Sequence, residues 1–517
     1  MSPRLRTLAV AAWPLAFVVA WAVWPLLSLV AEGARSVQAG GWALWWSPWT
    51  DAYWRGRLLW SVAQAAITAL GAVCVGVPVA WVLSRYQFVG RRWLVRALML
   101  PFVVPTLVAA LGILALWGPQ GLLPLPWSDS PLLLLIGNLF FNTCLVVRGA
   151  MGGFVQVSAS RLAAARSLGA SPWRAFWRLE WPTARGVVWA SACLVFMYCL
   201  SSFGLALLLG GQRWATAEVE IYTLVAHELA LGQASVLALW MLALSLLVVA
   251  FYTRLILRQR NSARADALPL KAVRSWAEGL GVGAAVLALL LVNFGPLLAL
   301  LVRAVSASAA AWSHAWGPDA VLALGNTLRF TAMGLALAAV LGIMQGLVAP
   351  KRMLWRVWSM LPLLVSPVMV AFGLLLLWPR HLDQVWVLVS AYALLALPLV
   401  STPVAQAVQD LPASLGQAAR SLGASPWRVA WRVTLPLVRG ALRRGLAFAA
   451  ATMLGEFAVT LLLSRPEWLT LSTYIYQLLG RPGALNAQAA WIMAACLMAL
   501  SLLVFTWVDR VEGEGRA

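Results

Sequence analysis

Residues 164–186 read AARSLGASPWRAFWRLEWPTARG and residues 418–440 read AARSLGASPWRVAWRVTLPLVRG, so 16 of 23 positions are identical across an interval of 254 residues. The same interval carries outward: Phe203, Trp214, Thr216, Ile221 and Tyr222 recur as Phe457, Trp468, Thr470, Ile475 and Tyr476. Upstream, LPFVVPTLVAALGILALW at 100–117 parallels LPLLVSPVMVAFGLLLLW at 361–378, displaced by 261. The chain is a tandem repeat of two similar halves.

What the halves are made of follows from composition. Of 517 residues, 62% are hydrophobic and only 11% charged, against roughly 25% charged in a soluble domain. A soluble core of this size could not hide so much apolar surface, so the chain is read as an all-α integral membrane protein. A spanning helix needs about 20 mainly apolar residues. About 12 such segments are expected, near 8–30, 58–84, 97–117, 131–153, 186–209 and 233–257, then 279–302, 322–349, 357–378, 384–407, 441–463 and 487–508. The first follows Arg4 and Arg6 without a short apolar core and small-residue cleavage site, and reads as a retained helix. The halves divide as 1–257 (core 58–257), a basic cytoplasmic linker at 258–278, and 279–517 (core 322–508).

The net charge of +21 is an orientation signal rather than a nucleic-acid footprint. Of the 38 basic residues, two are lysines (Lys271 and Lys351). With both termini inside, 29 fall on the inner side and 8 on the outer, with Arg329 inside a span. Such asymmetry places the basic loops and both termini in the cytoplasm. Two parallel repeats then predict a pseudo-two-fold axis along the membrane normal and a pathway where the halves meet. The five cysteines form no CxxC or Cys/His cluster, and there are three histidines, so no metal site is expected.

The repeated loop lies between the fourth and fifth spans of each half, on the cytoplasmic side. Its first part has high helix propensity and ends at Gly169 or Gly423, suited to a helix stop. Ser171-Pro172 and Ser425-Pro426 read as an N-cap with proline at the first helical position. The second helix carries Trp173, Trp177 and Arg174, Arg178 at i,i+4 spacing, repeated as Trp427, Trp431 and Arg428, Arg432. It is expected to stop at Pro182 or Pro436. Each loop is thus an elbow with an aromatic and a basic stripe. An interfacial anchor would explain the amphipathicity, whereas two near-identical elbows in otherwise divergent halves fit docking onto two copies of one cytoplasmic partner.

These loops resemble the EAA loop of permease subunits in bacterial binding-protein-dependent ABC importers: EAA, three residues, Gly, nine residues, then Ile-x-Leu-Pro. Ala164-Ala165 and Ala418-Ala419 match the alanines, and Gly169 and Gly423 the glycine. Leu179-Glu180-Trp181-Pro182 and Val433-Thr434-Leu435-Pro436 match the terminal element. The leading glutamate is replaced by Ala163 and Gln417, which removes any salt bridge it would make. The resemblance implies a multi-pass permease of the bacterial inner membrane, with each elbow a coupling helix on one of two cytoplasmic ABC ATPases. It also implies a periplasmic substrate-binding protein as partner, and ATP and magnesium held by the ATPase rather than by this chain.

No nucleotide site is expected in the chain itself. A phosphate-binding loop needs GxxxxGK[ST], and Lys271 follows Leu270 while Lys351 follows Pro350. No nucleophile or paired-carboxylate constellation is present either, so the chain is read as no enzyme on its own.

Two halves fused in one chain resemble the thiamine and ferric-iron importer permeases. GNLFFN at 137–142, LLLGGQRWATAEVEIY at 207–222 and TLSTYIYQLLGRPGALNAQAA at 470–490 lean toward thiamine, with ferric iron the alternative. Ionisable residues inside a membrane are functional candidates; here they are Arg329 and Glu456, expected to line the pathway or to pair with each other. Asn138 and Asn142 read as interhelical hydrogen-bond partners. Glu218, Glu220, Glu228 and Asp319 read as solvated outer-loop charge that could dock a periplasmic protein. An ion-coupled secondary transporter would also fit twelve helices in two halves, but it calls for several intramembrane carboxylates.

Overall fold

The computed structural model describes residues 12–125, 130–258, 269–348, 361–362, 365–463 and 465–510. Of the twelve expected spans, nine are helices long and apolar enough to cross a membrane among the described residues, and a tenth is a pair, Arg91–Val103 and Thr106–Trp117, bent by 108°. The bend falls at Val104–Pro105, because a proline removes an N–H from the ladder and disfavours helix at the residue before it. The remaining two are shorter. Pro367–Leu377 has part of its expected length outside the described residues, and Arg439–Leu454 breaks at Gly455 before Ala458–Leu463. Residues 259–268 of the expected linker also lie outside the described residues. Its end forms a two-residue parallel ladder, Tyr86 against Lys271 and Gln87 against Ala272.

Within each half the same two helices form the tightest contact. Ala52–Arg85 packs on Leu132–Val155, and Pro318–Val348 packs on Val385–Asp410. Glycine allows this approach: a Cβ on Gly76 would lie 2.9 Å from Val146 Cγ1, and one on Gly342 2.7 Å from Val400 Cγ1. In a membrane, where lipid tails are as apolar as leucine, close backbone approach of this kind is a main source of helix association.

The halves do not stand side by side as sequence order suggests. The leading helix of each half also packs on the other half. The helix Ala12–Gly40 packs against Pro367–Leu377 of the second half, where Ser28 Oγ donates to the Gly373 carbonyl at 2.9 Å. Reciprocally, the stretch Trp276–Val305 packs against Thr106–Trp117 of the first half. A Cβ on Gly373 would be 2.6 Å from the Pro25 oxygen, and one on Gly112 2.7 Å from the Pro296 oxygen. Gly112 and Gly373 are related by the same 261-residue displacement seen in the sequence. The two halves are therefore clasped by leading helices that bridge them, each also packing on the last helix of its own half, Leu231–Arg258 and Ala484–Arg510.

Candidate functional site

Two regions carry the site: the pair of elbows, and a cavity where the halves meet. In the first elbow the helix Ala159–Ser167 begins at Ser158, whose hydroxyl accepts from the Arg161 N–H, and ends at Gly169 with φ +79°. The Gly169 N–H donates to the Arg166 carbonyl (3.0 Å) and the Ala170 N–H to the Ala165 carbonyl (3.0 Å). This is the paired closure of a left-handed C-cap. The second elbow repeats it, with Gly423 at φ +81° and bonds of 2.9 and 3.0 Å to Arg420 and Ala419. Ser171 and Ser425 then accept from the backbone of Arg174 and Arg428, with Pro172 and Pro426 at the first helical position. The caps are those the sequence implied.

The first of the following helices does not stop at Pro182, whereas the second ends at Leu437, one residue past Pro436. Pro172–Leu200 is one continuous helix, and its counterpart runs to Leu437 before a turn at Val438. In both, the ladder widens to π register just before the proline, over Phe176–Glu180 and Ala430–Thr434. A π-bulge shifts the hydrogen-bond partners, so that a residue without an N–H is accommodated and the helix continues.

The surfaces presented are alike. Trp173 and Trp427 are 70% and 58% exposed, and each meets a second exposed tryptophan edge-on, Trp177 at 5.6 Å and Trp431 at 5.3 Å between ring centroids. Leu168 and Leu422, just before the glycines, are 87% and 90% exposed. Ala164 and Ala418 are exposed, Ala165 and Ala419 half-buried, and Arg174 and Arg428 exposed. Ala163 and Gln417, at the position of the missing glutamate, are exposed in both.

The cavity forms where helices break. Pro172–Leu200 gives way at Ser201–Gly204, Arg439–Leu454 at Gly455, and the bent pair at Pro105. These breaks meet: a Cβ on Gly455 would lie 2.6 Å from Pro105, and one on Gly204 3.0 Å from Thr106. Between them is a cavity of about 260 Å³ walled by Phe102, Asn142, Tyr198, Phe203, Glu456 and Phe457. Glu456 Oε1 accepts from the Val459 N–H at 3.0 Å, so the carboxylate sits at the N-terminus of Ala458–Leu463, where backbone N–H groups stabilise negative charge. Asn138 donates to Gln64 on the neighbouring helix at 2.8 Å, the interhelical bond expected of it. Asn142 donates to the Asn138 carbonyl, and its Oδ1 is buried without a hydrogen-bond partner.

Three placements differ from expectation. Arg329 is exposed on the flank of Pro318–Val348 and does not wall the cavity, so only Glu456 of the two pathway candidates reaches it. Glu218 and Glu220 are not solvated loop charge. They lie on the short outer helix Ala217–Ala226, where Glu218 is fully buried and accepts from Ser366 Oγ of the second half at 2.5 Å. Burial pushes its carboxyl up to about 7 despite that hydroxyl. Glu220 pairs with Arg57 at 3.3 Å and accepts from the Tyr53 hydroxyl at 3.0 Å. Glu228 and Asp319 are exposed, as expected. The residue missed in the elbows is Glu180. It is 3% exposed, 3.1 Å from Arg85, and accepts from Trp81 Nε1 at 2.6 Å. A carboxylate inside an aromatic and basic stripe was its available signal.

The comparisons with known proteins agree with this geometry. The model of the family "Binding-protein-dependent transport system inner membrane component" matches the chain twice, at residues 72–261 and 334–513. The thiamine transport system permease protein ThiP of Escherichia coli (strain K12) is 29% identical, covering 91% of this chain and 93% of its own length. Its namesake in Haemophilus influenzae is 26% identical (92% and 92%), and that of Brucella abortus (strain 2308) 28% (88% and 88%). The chain belongs to the family of binding-protein-dependent transport system inner membrane components, and carries two copies of its domain.

Proposed function

We propose that this family member is the complete transmembrane pathway of an ABC importer for thiamine or its phosphate esters. A periplasmic binding protein delivers the substrate, and two copies of a cytoplasmic ATPase drive its passage. The chain lies in the bacterial inner membrane with both termini in the cytoplasm, the orientation favoured by its arginine asymmetry. Residues 1–257 and 279–517 are the two permease halves.

The observation that carries this reading is the duplicated elbow. Two exposed surfaces of the same shape, each with a left-handed glycine, a capped proline and a tryptophan pair, suit two identical partners. ATP and magnesium belong to those partners, and the chain acts by translocation alone. Ala164, Ala165, Gly169, Pro172, Trp173, Arg174 and Pro182, with Ala418, Ala419, Gly423, Pro426, Trp427, Arg428 and Pro436, form the two coupling surfaces. For the cargo, the support is the named relatives together with a cavity of aromatic rings and one acid, Glu456. Such a lining suits an organic cation with stackable rings better than a ferric ion.

The test is reconstitution. The chain, co-purified with its partner ATPase and binding protein, should contain one copy per two ATPases and import thiamine in proteoliposomes only with ATP. Import persisting without ATPase would refute the importer reading. Tight ferric binding by the binding protein, with no response to thiamine, would refute the cargo.

A further inference from the structure

The two phenylalanines that the repeat relates, Phe203 and Phe457, lie on each other in the structure. Their ring centroids are 5.9 Å apart and their planes differ by 26°. Each is backed by a tyrosine of its own half: Tyr222 meets Phe203 at 5.3 Å and Tyr476 meets Phe457 at 5.3 Å, with similar tilts of 62° and 59°. Residues 222 and 476 are again 254 apart. Four rings thus straddle the pseudo-two-fold axis, and the central pair is 4% and 2% exposed.

The central pair of this quartet, Phe203 and Phe457, forms part of the cavity wall. Along the helices that rise from the elbows, Tyr198 and Thr452 precede Phe203 and Phe457, and both line the cavity below the stack. The cavity under the rings is not symmetric. Glu456 beside Phe457 has Ser202 as its counterpart beside Phe203. Asn142, in the same wall, has its Oδ1 buried without a hydrogen-bond partner. An apolar stack alone would make a plug. A plug with an acid and an unsatisfied acceptor behind it makes a receptor for a cation that also carries N–H donors.

The geometry points to Phe203 and Phe457 as an outer gate that opens by exchange: a planar organic cation enters by replacing the Phe–Phe stack with a Phe–substrate–Phe sandwich, Glu456 facing its charge and Asn142 Oδ1 taking an N–H. This rests on the importer reading and on a thiamine-like cargo. A ring held between two others needs roughly 7 Å between the outer pair, twice a van der Waals contact of about 3.5 Å. The present stack is therefore closed, and admission requires the halves to part. Stackable cations recover the lost ring contacts as they enter, whereas small ions and water do not. Such a gate selects for flat cations independently of the binding protein.

Proteoliposomes holding the full complex, with thiamine-loaded binding protein inside or outside, provide the test. Leucine keeps both positions apolar and close in volume, so the double variant Phe203→Leu/Phe457→Leu should assemble. We expect its thiamine uptake per ATP hydrolysed to fall about tenfold, with passive leak of sodium rising. Phe457→Trp should retain most of the uptake, and Glu456→Gln should raise KM for thiamine while sparing a neutral, planar thiamine oxidation product. Wild-type uptake per ATP in the double leucine variant, or an unchanged preference for cation over neutral ring in Glu456→Gln, would overturn the exchange gate. Sodium leak reports on the gate whatever the cargo. Leak in the leucine variant from a wild-type complex that imports no thiamine would refute the cargo reading and leave the stack as a plug.

Discussion

The two elbows present the same face and are held from behind in different ways. In the first, Glu180 is buried against Arg85 and Trp81, and Leu162 is 2% exposed. Trp173 and Trp177 also wall an apolar groove of about 720 Å³ shared with Pro78 and with Ala285 of the helix Trp276–Leu289. In the second, Thr434 stands at the position of Glu180 and Gly416 at that of Leu162. No residue of its first helix, Ala413–Ser421, is buried, and the chain turns at Val438 before the next helix begins. From Ala164 to Arg178 every exposed residue is kept, while the buried Leu162, Ala175 and Glu180 become Gly416, Val429 and Thr434. An intramolecular anchor has only to suit its own neighbours, whereas a surface that meets the same partner twice is constrained twice.

The anchors supply the sharpest contrast. Truncating Glu180 to alanine leaves Arg85 buried and unpaired, a loss of about 3–5 kcal/mol. Thr434→Ala, at a half-buried site, should cost below about 0.5 kcal/mol. Thermal unfolding of the detergent-purified chain should separate the two. The paired change Glu180→Leu/Arg85→Met should recover most of the loss, since replacing both charges by apolar groups removes the desolvation penalty with the pair. Equal destabilisation by Glu180→Ala and Thr434→Ala would break the comparison.

The next contrast is Leu162→Ala, expected to loosen the first elbow by about 2–3 kcal/mol. In the second elbow Leu415, 41% exposed, should tolerate alanine within about 0.5 kcal/mol. Hydrogen exchange of residues 159–167 and 413–421 reads this directly. Faster exchange is expected for Leu162→Ala in the first segment, and no change for Leu415→Ala in the second.

What could be read from the sequence divides by range. The glycine stops, serine caps and first-turn prolines of the elbows are local chemistry, and they stand where residue type alone puts them. The spans were legible because a bilayer demands length and hydrophobicity. The misread features all depend on contacts distant in sequence. Pro182 looked like a stop because the π-bulge that absorbs it is set by the longer helix it joins, whereas at Pro436 the helix does end within a residue. Arg329 and Glu456 looked equivalent, since a helix apolar all round does not reveal which side meets the bundle; one faces out and the other sits in a break. Glu218 and Glu220 looked like loop charge because a short polar gap between spans gives no hint that Ser366, Arg57 and Tyr53 close over it. The bridging by the leading helices was likewise invisible, as the repeat relates Gly112 to Gly373 without saying that each contacts the leading helix of the other half.

Where the elbows are identical, matched substitutions should have matched effects. Gly169→Val and Gly423→Val each force a β-branched residue to positive φ, at about 1–2 kcal/mol per site. Nothing lies within 4 Å of a Cβ at either position, so the effect is backbone strain without a clash. Thiamine uptake per ATP should fall by a similar factor in each single variant and further in the double. A loss confined to one half would mean that only one elbow couples.

The smallest stability effect should come from the tryptophans. Trp173→Ala and Trp427→Ala remove rings that are 70% and 58% exposed, so unfolding should shift by less than about 0.5 kcal/mol. Their role in the complex is a different quantity. A tryptophan at the centre of a protein interface commonly costs 2 kcal/mol or more on truncation, roughly thirtyfold in affinity. If both elbows seat in the same ATPase groove, each variant should weaken ATPase association by that order and by the same factor. Titration of the purified ATPase onto membranes carrying each variant measures it. Retained affinity in Trp173→Ala with loss in Trp427→Ala would show that the first pair serves the groove beside Ala285 rather than the partner, and the likeness of the two faces would then have a cause in the membrane instead of in the cytoplasm.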